Sequence, residues 1–289
     1  MRYSIYLFIL FALLGQSCST KKEKNTGTQV QVRIDDLGRK VSVADTPVRI
    51  ISLTPSITEL LYTFVDSTRI VGRSVWCDYP EALKKLPAVN SYPIDIEAIV
   101  RLKPDLLLVK KGMISLAEIA KLEQLHVPVF VQKYDLLKDI EASTRTLVEI
   151  TKGDSLKMEH WLALLNTDSL SYSTYKKCIA IVSVSPIYVF GKATFVSELM
   201  YLAGGENIVD IADKEYPAVD VEYIIQQNPE VFLFSSEDQK KLFFQTYPVL
   251  KNCTGYKTQH LFMIDDSVLS RPGIRLPELK DSLVSIMHK

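Results

Sequence analysis

The sequence predicts an α/β fold of two similar lobes, each built around a mostly parallel sheet, and two observations carry that prediction. One is a buried strand that turns directly into a helix at residues 49–59, the basic step of α/β architecture. The other is a motif that occurs twice at a constant spacing of 125 residues, once in each half of a chain of 289. That length exceeds one ordinary core and suits two lobes of roughly 100 to 150 residues each.

Arg49-Ile50-Ile51-Ser52-Leu53 reads as the buried strand, and Thr54-Pro55-Ser56-Ile57-Thr58-Glu59 as the start of the helix. Thr54 can cap with Pro55 at the first helical position, or Ser56 and Glu59 can form a capping box; both place the start in the same turn. Before this unit, Val30, Val32 and Ile34 alternate up to a turn at Asp36-Leu37-Gly38-Arg39, and Val41 and Val43 return, which predicts a hairpin. Further strands are expected at Leu106 to Val109, Val127 to Val131, Ile179 to Val184, Val231 to Phe234 and Phe262 to Ile264. Helical patterns separate most of them, so the sheets are mostly parallel. Between the halves, Asp135 to Thr151 and Asp154 to about Ser171 read as helices. In the second, Leu156, Trp161, Leu162, Leu164, Leu165 and Leu170 fall largely on one face. The expected organisation is an N-terminal lobe over 30–151, a stiff connecting helix over 152–176 and a C-terminal lobe over 177–289.

In the repeat, Asp95-Ile96-Glu97-Ala98-Ile99-Val100 followed by Pro104-Asp105-Leu106-Leu107-Leu108-Val109 is matched by Asp220-Val221-Glu222-Tyr223-Ile224-Ile225 followed by Pro229-Glu230-Val231-Phe232-Leu233-Phe234. Each copy has an acidic residue before a short helix, a proline that ends it and an apolar strand. Related lobes facing each other across a cleft therefore carry Glu97 and Glu222 at equivalent places.

Composition narrows the function. Hydrophobic residues at 47% and charged ones at 24% describe a folded body. Thirty-four basic residues balance 34 acidic ones, so no net field draws the chain to nucleic acid or to an anionic membrane surface. There is no Walker A loop, dinucleotide glycine fingerprint, His-Glu-x-x-His helix or Gly-x-Ser-x-Gly elbow. The four histidines, His126, His160, His260 and His288, are far apart in sequence, and none has a second ligand at metal spacing. The sequence gives no ground for an enzyme, a resident cofactor or a bare metal site; an exported enzyme on a similar scaffold is the outlying alternative.

The N-terminus has Arg2, an apolar run from Ile5 to Leu14 and Gly15-Gln16-Ser17-Cys18. The run is too short for the roughly 20 residues of a membrane-spanning helix and suits an export signal. It resembles a bacterial lipoprotein signal peptide over 1–18, with Leu14 to Cys18 as a loose lipobox in which Gln16 is the departure. The resemblance implies that Cys18 is lipidated, that the polar segment 19–29 is a flexible tether and that the protein is a membrane-anchored lipoprotein of the periplasm. Cys77, Cys178 and Cys253 sit in no short pairing motif and are expected as buried single cysteines.

Taken together, Arg49 to Glu59, Val71-Gly72-Arg73-Ser74 with Cys77-Asp78-Tyr79-Pro80, Ile96-Glu97 to Lys103-Pro104-Asp105, Gly204-Gly205-Glu206-Asn207 and Arg271-Pro272-Gly273-Ile274-Arg275 resemble one family in unbroken order over about residues 30 to 276. It is the family of periplasmic substrate-binding proteins of cobalamin and iron-chelate ABC importers, the class III type, with two Rossmann-like lobes joined by one long rigid helix. The resemblance implies a monomeric binder that hands a small metal chelate to an importer permease and its ATPase. Glu97 and Glu222 match the residues that dock on permease arginines, where charge-assisted pairing gives orientation and rate. Among members the cobalamin binder is the nearest likeness. Trp76, Tyr92 and Tyr216 match the aromatic residues of its cleft, and Arg271 matches a cleft arginine at a spacing one residue longer. Flat aromatic rings suit a corrin or porphyrin face. A ferric siderophore or haem is the alternative cargo: Arg271 with Arg73 or Lys192 would meet an anionic chelate, and Tyr92 or Tyr216 could serve haem iron.

Overall fold

The computed structural model describes residues 30–165, 172–211 and 214–289. The expected signal over 1–18 with Cys18, and the tether over 19–29, lie outside the described residues.

The chain opens with the predicted antiparallel hairpin, β1 (Val30–Ile34) and β2 (Lys40–Ala44). Its turn is set by the buried Asp35, whose carboxylate accepts from the amides of Leu37 and Arg39, each at 3.0 Å. Gly38 takes φ 76°, a conformation that costs glycine little.

The N-terminal sheet is β3 (Ile50–Ser52), β4 (Ile70–Ser74), β5 (Ala88–Val89), β6 (Leu106–Lys110) and β7 (Val129–Gln132). All five run parallel in the order β5-β4-β3-β6-β7. The C-terminal sheet has β8 (Lys176–Ser183), β10 (Gly205–Asn207), β11 (Val231–Phe234) and β12 (Leu261–Met263) parallel in the order β10-β8-β11-β12, with β9 (Tyr188–Val189) antiparallel on β8. The strands expected from apolar runs are present, Val231–Phe234 with the expected ends and the others with ends shifted by at most three residues. Four were not expected: β4, β5, β9 and β10. In β4 the apolar pattern stops at Gly72, Arg73 and Ser74, yet all three are buried. A Cβ at Gly72 would lie 2.8 Å from Leu102 Cδ1, and the Arg73 guanidinium is satisfied by the carbonyls of Leu83 at 2.7 Å and Ser74 at 2.9 Å.

Helix α1 (Pro55–Phe64) begins after Thr54 with Pro55 at its first position. The capping box of Ser56 and Glu59 does not form. Thr54 Oγ1 accepts instead from the amide of Lys110 at 3.0 Å, and Glu59 is buried in an ion pair described below.

The repeat is structural. Helices α2 (Ile96–Arg101) and α7 (Val221–Gln227) are capped alike: Asp95 accepts from the Ala98 amide at 2.9 Å, and Asp220 from the Tyr223 amide at 2.7 Å. Ile99 and Ile224 are each fully buried. Lys103 and Asn228 both take left-handed φ, 47° and 51°, before the prolines. The Asp105 carboxylate accepts from the amides of Val48 and Arg49, and Glu230 accepts from the Lys177 amide, so each acid fastens the neighbouring strand. The strands β6 and β11 that follow occupy equivalent inner places in the two sheets.

Between the lobes run α4 (Leu137–Thr151) and α5 (Ser155–Leu165), α3 (Leu116–Gln124) having been used between β6 and β7. The connecting helix expected over 152–176 is shorter than that at both ends. Lys152 takes φ 52°, and the Asp154 carboxylate caps α5 by accepting from the Lys157 amide at 2.9 Å. At the other end, 172–175 are irregular before β8 begins at Lys176; Leu170 lies outside the described residues. A Cβ at Gly153 would sit 2.7 Å from the Phe64 carbonyl oxygen, so only glycine lets this turn close on the end of α1. The buried face of α5 is Met158, Trp161 and Leu162, while Leu156 and Leu164 are exposed, a correction to the predicted stripe. Trp161 packs edge-on to Phe64 at 6.0 Å and donates its indole N–H to the Ile274 carbonyl at 2.8 Å, so one side chain touches both lobes. One apolar cluster runs from the α1 face through Trp161 to α6 (Phe195–Leu202) and α11 (Leu276–Met287), which makes the junction stiff.

Cys77, Cys178 and Cys253 are buried and free, as expected. Burial pushes the Cys178 thiol up to about 12, which keeps it protonated. No helix among the described residues is long and apolar enough to cross a membrane.

Candidate functional site

The loops that leave the carboxyl ends of parallel strands form the usual binding edge of an open α/β sheet. Here the two sheets bring those edges together: Asp78 and Tyr79, in the loop after β4, meet Arg271 and Arg275, which follow β12. The two halves also meet where the amide of Phe195 donates to the Asp135 carbonyl at 2.7 Å and the amide of Leu137 to Glu198 at 2.6 Å.

Trp76 lies in the loop after β4, and Tyr92 in the loop after β5. Two residues before Trp76, Ser74 Oγ lies 3.0 Å from Ser91 Oγ, one residue before Tyr92, in a buried hydroxyl pair. Ser74 Oγ also accepts from the Trp76 amide at 3.2 Å, and the Val75 amide donates to the Val89 carbonyl at 3.0 Å. These bonds fix the two loops side by side. Their aromatic side chains stand out from the fold, Trp76 at 64% exposure and Tyr92 at 87%. Large rings left this open on a rigid base have not been spent on the core.

Tyr216, in the loop between β10 and α7, is 42% exposed and packs edge-on to Phe190 at 5.5 Å. Burial, followed by the charges of Glu215, Asp135 and Asp266, pushes its phenol up to about 12. Asp135 comes from the N-terminal lobe and Asp266 from the C-terminal lobe, so Tyr216 stands between the two edges. Its phenol is available to donate a hydrogen bond.

Arg271 is already engaged. Both terminal nitrogens reach Asp78, Nη2 at 3.5 Å from Oδ2 and Nη1 closer to Oδ1, and Nη1 lies 3.9 Å from Glu59 Oε1. The Arg271 hydrogen bond, opposed in part by desolvation, holds the Asp78 carboxyl below the usual range. Beneath this pair lies a second that sequence reasoning did not single out. Arg275 donates to Glu59 Oε1 at 2.9 Å and to the Ser267 carbonyl at 2.8 Å, and its guanidinium stacks 4.5 Å over the Tyr79 ring. Glu59 is 1% exposed, and burial raises its pKa against the pull of Arg275. Gly273 permits the approach, since a Cβ there would lie 2.8 Å from Glu59 Oε2. The only hint in the sequence was a glutamate set within the otherwise apolar or small face of α1.

The other cations considered at the sequence level are differently placed. Arg73 gives its guanidinium N–H groups to backbone carbonyls of its own lobe and is buried, so it is not free to bond a ligand. Lys192 pairs with Asp210 at 3.1 Å. Among the described residues, no three histidine, cysteine or acidic side chains are grouped to hold a metal ion.

Glu97 and Glu222 occupy the first turns of α2 and α7, each exposed and, among the described residues, in no ion pair. Two equivalent carboxylates thus mark one place on each lobe.

Residues 50–268 match the model of the family described as periplasmic binding protein. A vitamin B12-binding protein of Vibrio vulnificus is 28% identical over 242 residues, covering 81% of this chain and 88% of its own length. The crystal structure of the periplasmic vitamin B12 binding protein BtuF of Vibrio cholerae superposes with a TM-score of 0.69 at 25% identity, covering 84% of this chain and 97% of that one. A periplasmic haem-binding protein from Pseudomonas aeruginosa shares the fold, with a TM-score of 0.70 at 18% identity over 83% of this chain and 92% of its own. Family match, fold and matching coverage agree that the chain belongs to the periplasmic binding protein family.

Proposed function

We propose that this protein captures cobalamin between its lobes and delivers it to the permease and ATPase of an ABC importer, acting as a monomer held to the membrane by a lipid on Cys18. The wider statement stands on the family: it is a periplasmic binding protein, and such proteins bind substrates for transporters rather than transform them.

The observation that carries the cobalamin assignment is the pair of adjoining loops that leave the Trp76 and Tyr92 rings exposed; Tyr216 is the aromatic candidate of the other lobe. A corrin is broad, apolar on its faces and edged with amides. Two exposed rings fixed by the Ser74–Ser91 pair can cover such faces with little loss of side-chain freedom, and a neutral phenol can donate to an amide. The similarity to vitamin B12-binding proteins supports the same ligand. Haem is the second reading, favoured by the shared fold with a haem-binding protein and by the exposed phenol of Tyr92.

The chain has two tryptophans, Trp76 exposed in the loop after β4 and Trp161 buried at the junction. Titration of the purified protein with cobalamin is expected to quench Trp76 emission in the micromolar range or below, with Trp161 as a built-in unquenched background. Trp76→Phe removes the response. No quenching by cobalamin, together with tight haem binding, transfers the assignment to haem.

A further inference from the structure

The geometry points to Asp78 as a residue that sets the charge selectivity of the cleft: by holding Arg271, it withdraws from anionic ligands the guanidinium that bridges the two lobes. This rests on the reading that the inter-lobe cleft receives the cargo, and it names what class of cargo the cleft disfavours.

Arg271 arrives from the C-terminal lobe with its side chain 20% exposed, and Asp78 meets it from the N-terminal lobe at 54% exposure, two residues beyond Trp76. The pair therefore lies at the wall that carries the exposed ring. Behind it, Glu59 and Arg275 form a buried pair of opposite charges, so neither leaves a net charge for the cleft. The four groups sum to zero; the acids next in the chain, Asp265 and Asp266, add negative charge, and the buried Arg73 of β4 adds one positive charge. Asp265 is itself held below the usual carboxylate range by the Ser267 hydroxyl and, further off, by these arginines. A ligand with carboxylates, such as haem, would have to displace Asp78 from Arg271 and then lie beside it. A ligand without acidic groups on that edge meets no such cost. Desolvating a like-charged neighbour is the repulsive element by which a site rejects the wrong partner.

Asp78→Asn keeps the shape of the side chain and removes its charge, leaving Arg271 with a net positive charge at the cleft wall. The test measures haem and cyanocobalamin binding to the full chain in detergent, for wild type, Asp78→Asn, Asp78→Ala and Asp78→Asn with Arg271→Gln. The ratio of haem to cobalamin affinity is expected to rise about tenfold in Asp78→Asn, a change that one half-exposed charge can supply. The gain should shrink as salt is raised and vanish when Arg271→Gln is added. An unchanged ratio in both single variants, with thermal unfolding showing them folded, overturns the proposal; so does a gain that survives loss of Arg271. If wild type does not bind cobalamin but Asp78→Asn still gains haem affinity through Arg271, the cobalamin assignment fails and the role of Asp78 stands.

Discussion

The two lobes share one frame and differ in what fills and faces it. In both, an aspartate caps a short helix, an isoleucine anchors it, a left-handed residue precedes a proline, and an acid fastens the next strand to its neighbour. The packing behind the frame diverges. The N-terminal sheet packs aliphatic side chains, including Ile51, Leu107, Val109 and Val131. The C-terminal sheet packs rings, with Phe232, Phe234, Phe243 and Phe244 in mutual contact. The candidate site residues diverge too: two open rings, Trp76 and Tyr92, on one lobe, and a partly exposed Tyr216 with Arg271 on the other. Backbone devices are retained wherever the lobes need the same geometry, and side chains differ wherever they meet different neighbours.

The most severe test of lobe equivalence is charge reversal at Glu97 and Glu222. The double change Glu97→Arg with Glu222→Arg is expected to abolish uptake in cells while cobalamin titration stays normal, and each single change should impair uptake to a similar degree. Retained uptake in the double variant would move docking away from these helices.

The next effect concerns what joins the lobes. Glu59→Ala leaves Arg275 buried without its carboxylate and is expected to cost about 3–5 kcal/mol in chemical denaturation. A loss below about 1 kcal/mol would mean that water replaces the carboxylate readily.

Core truncation at equivalent strand positions compares the two packings directly. Leu107→Ala should cost about 2–5 kcal/mol and Phe232→Ala about 3–5, both sites being fully buried. The ring cluster should be the more sensitive, because it loses face and edge contacts as well as volume. Equal losses would show that the two cores tolerate cavities alike.

The helix caps should give a matched pair of small effects: Asp95→Ala and Asp220→Ala are each expected to cost about 1 kcal/mol of unfolding free energy. Smallest of all is the acid response of Asp78. Its carboxyl is depressed in the folded protein, so its contribution is complete above the ordinary value of 3.8 and is lost as pH falls through the lower folded value. Half exposure screens it, so Asp78→Asn should flatten the acid limb of thermal stability only slightly.

Much of this was legible in the chain. Strands β3, β6, β7 and β11, and the centre of β8, followed from apolar runs, because a strand buried on both faces must be apolar throughout; β12 followed from its apolar run although it is only partly buried. Strand β4 broke that pattern: Gly72 and Arg73 are buried for reasons that lie elsewhere in the fold, at Leu102 and at the carbonyls around residue 83. The connecting helix is shorter than its expected span over 152–176: the close approach of Gly153 to the Phe64 carbonyl forces a turn before Ser155, and residues 172–175 are irregular before β8.

The sequence by itself determined the two-lobe α/β plan, the repeat with Glu97 and Glu222 at matched places, and the aromatic candidates Trp76, Tyr92 and Tyr216. The plan and the repeat depend on local periodicity, capping and composition, which neighbouring residues carry, and the three aromatic positions on resemblance to the family's motifs. Only the tertiary structure decided that Arg271 is held by Asp78, that Glu59 serves Arg275 rather than a helix cap, and that Ser74 and Ser91 bring two rings onto one wall. Each of these is a contact between residues 17 to 216 positions apart in the chain. Pairings across such distances are fixed by how the lobes pack, and no local pattern encodes them.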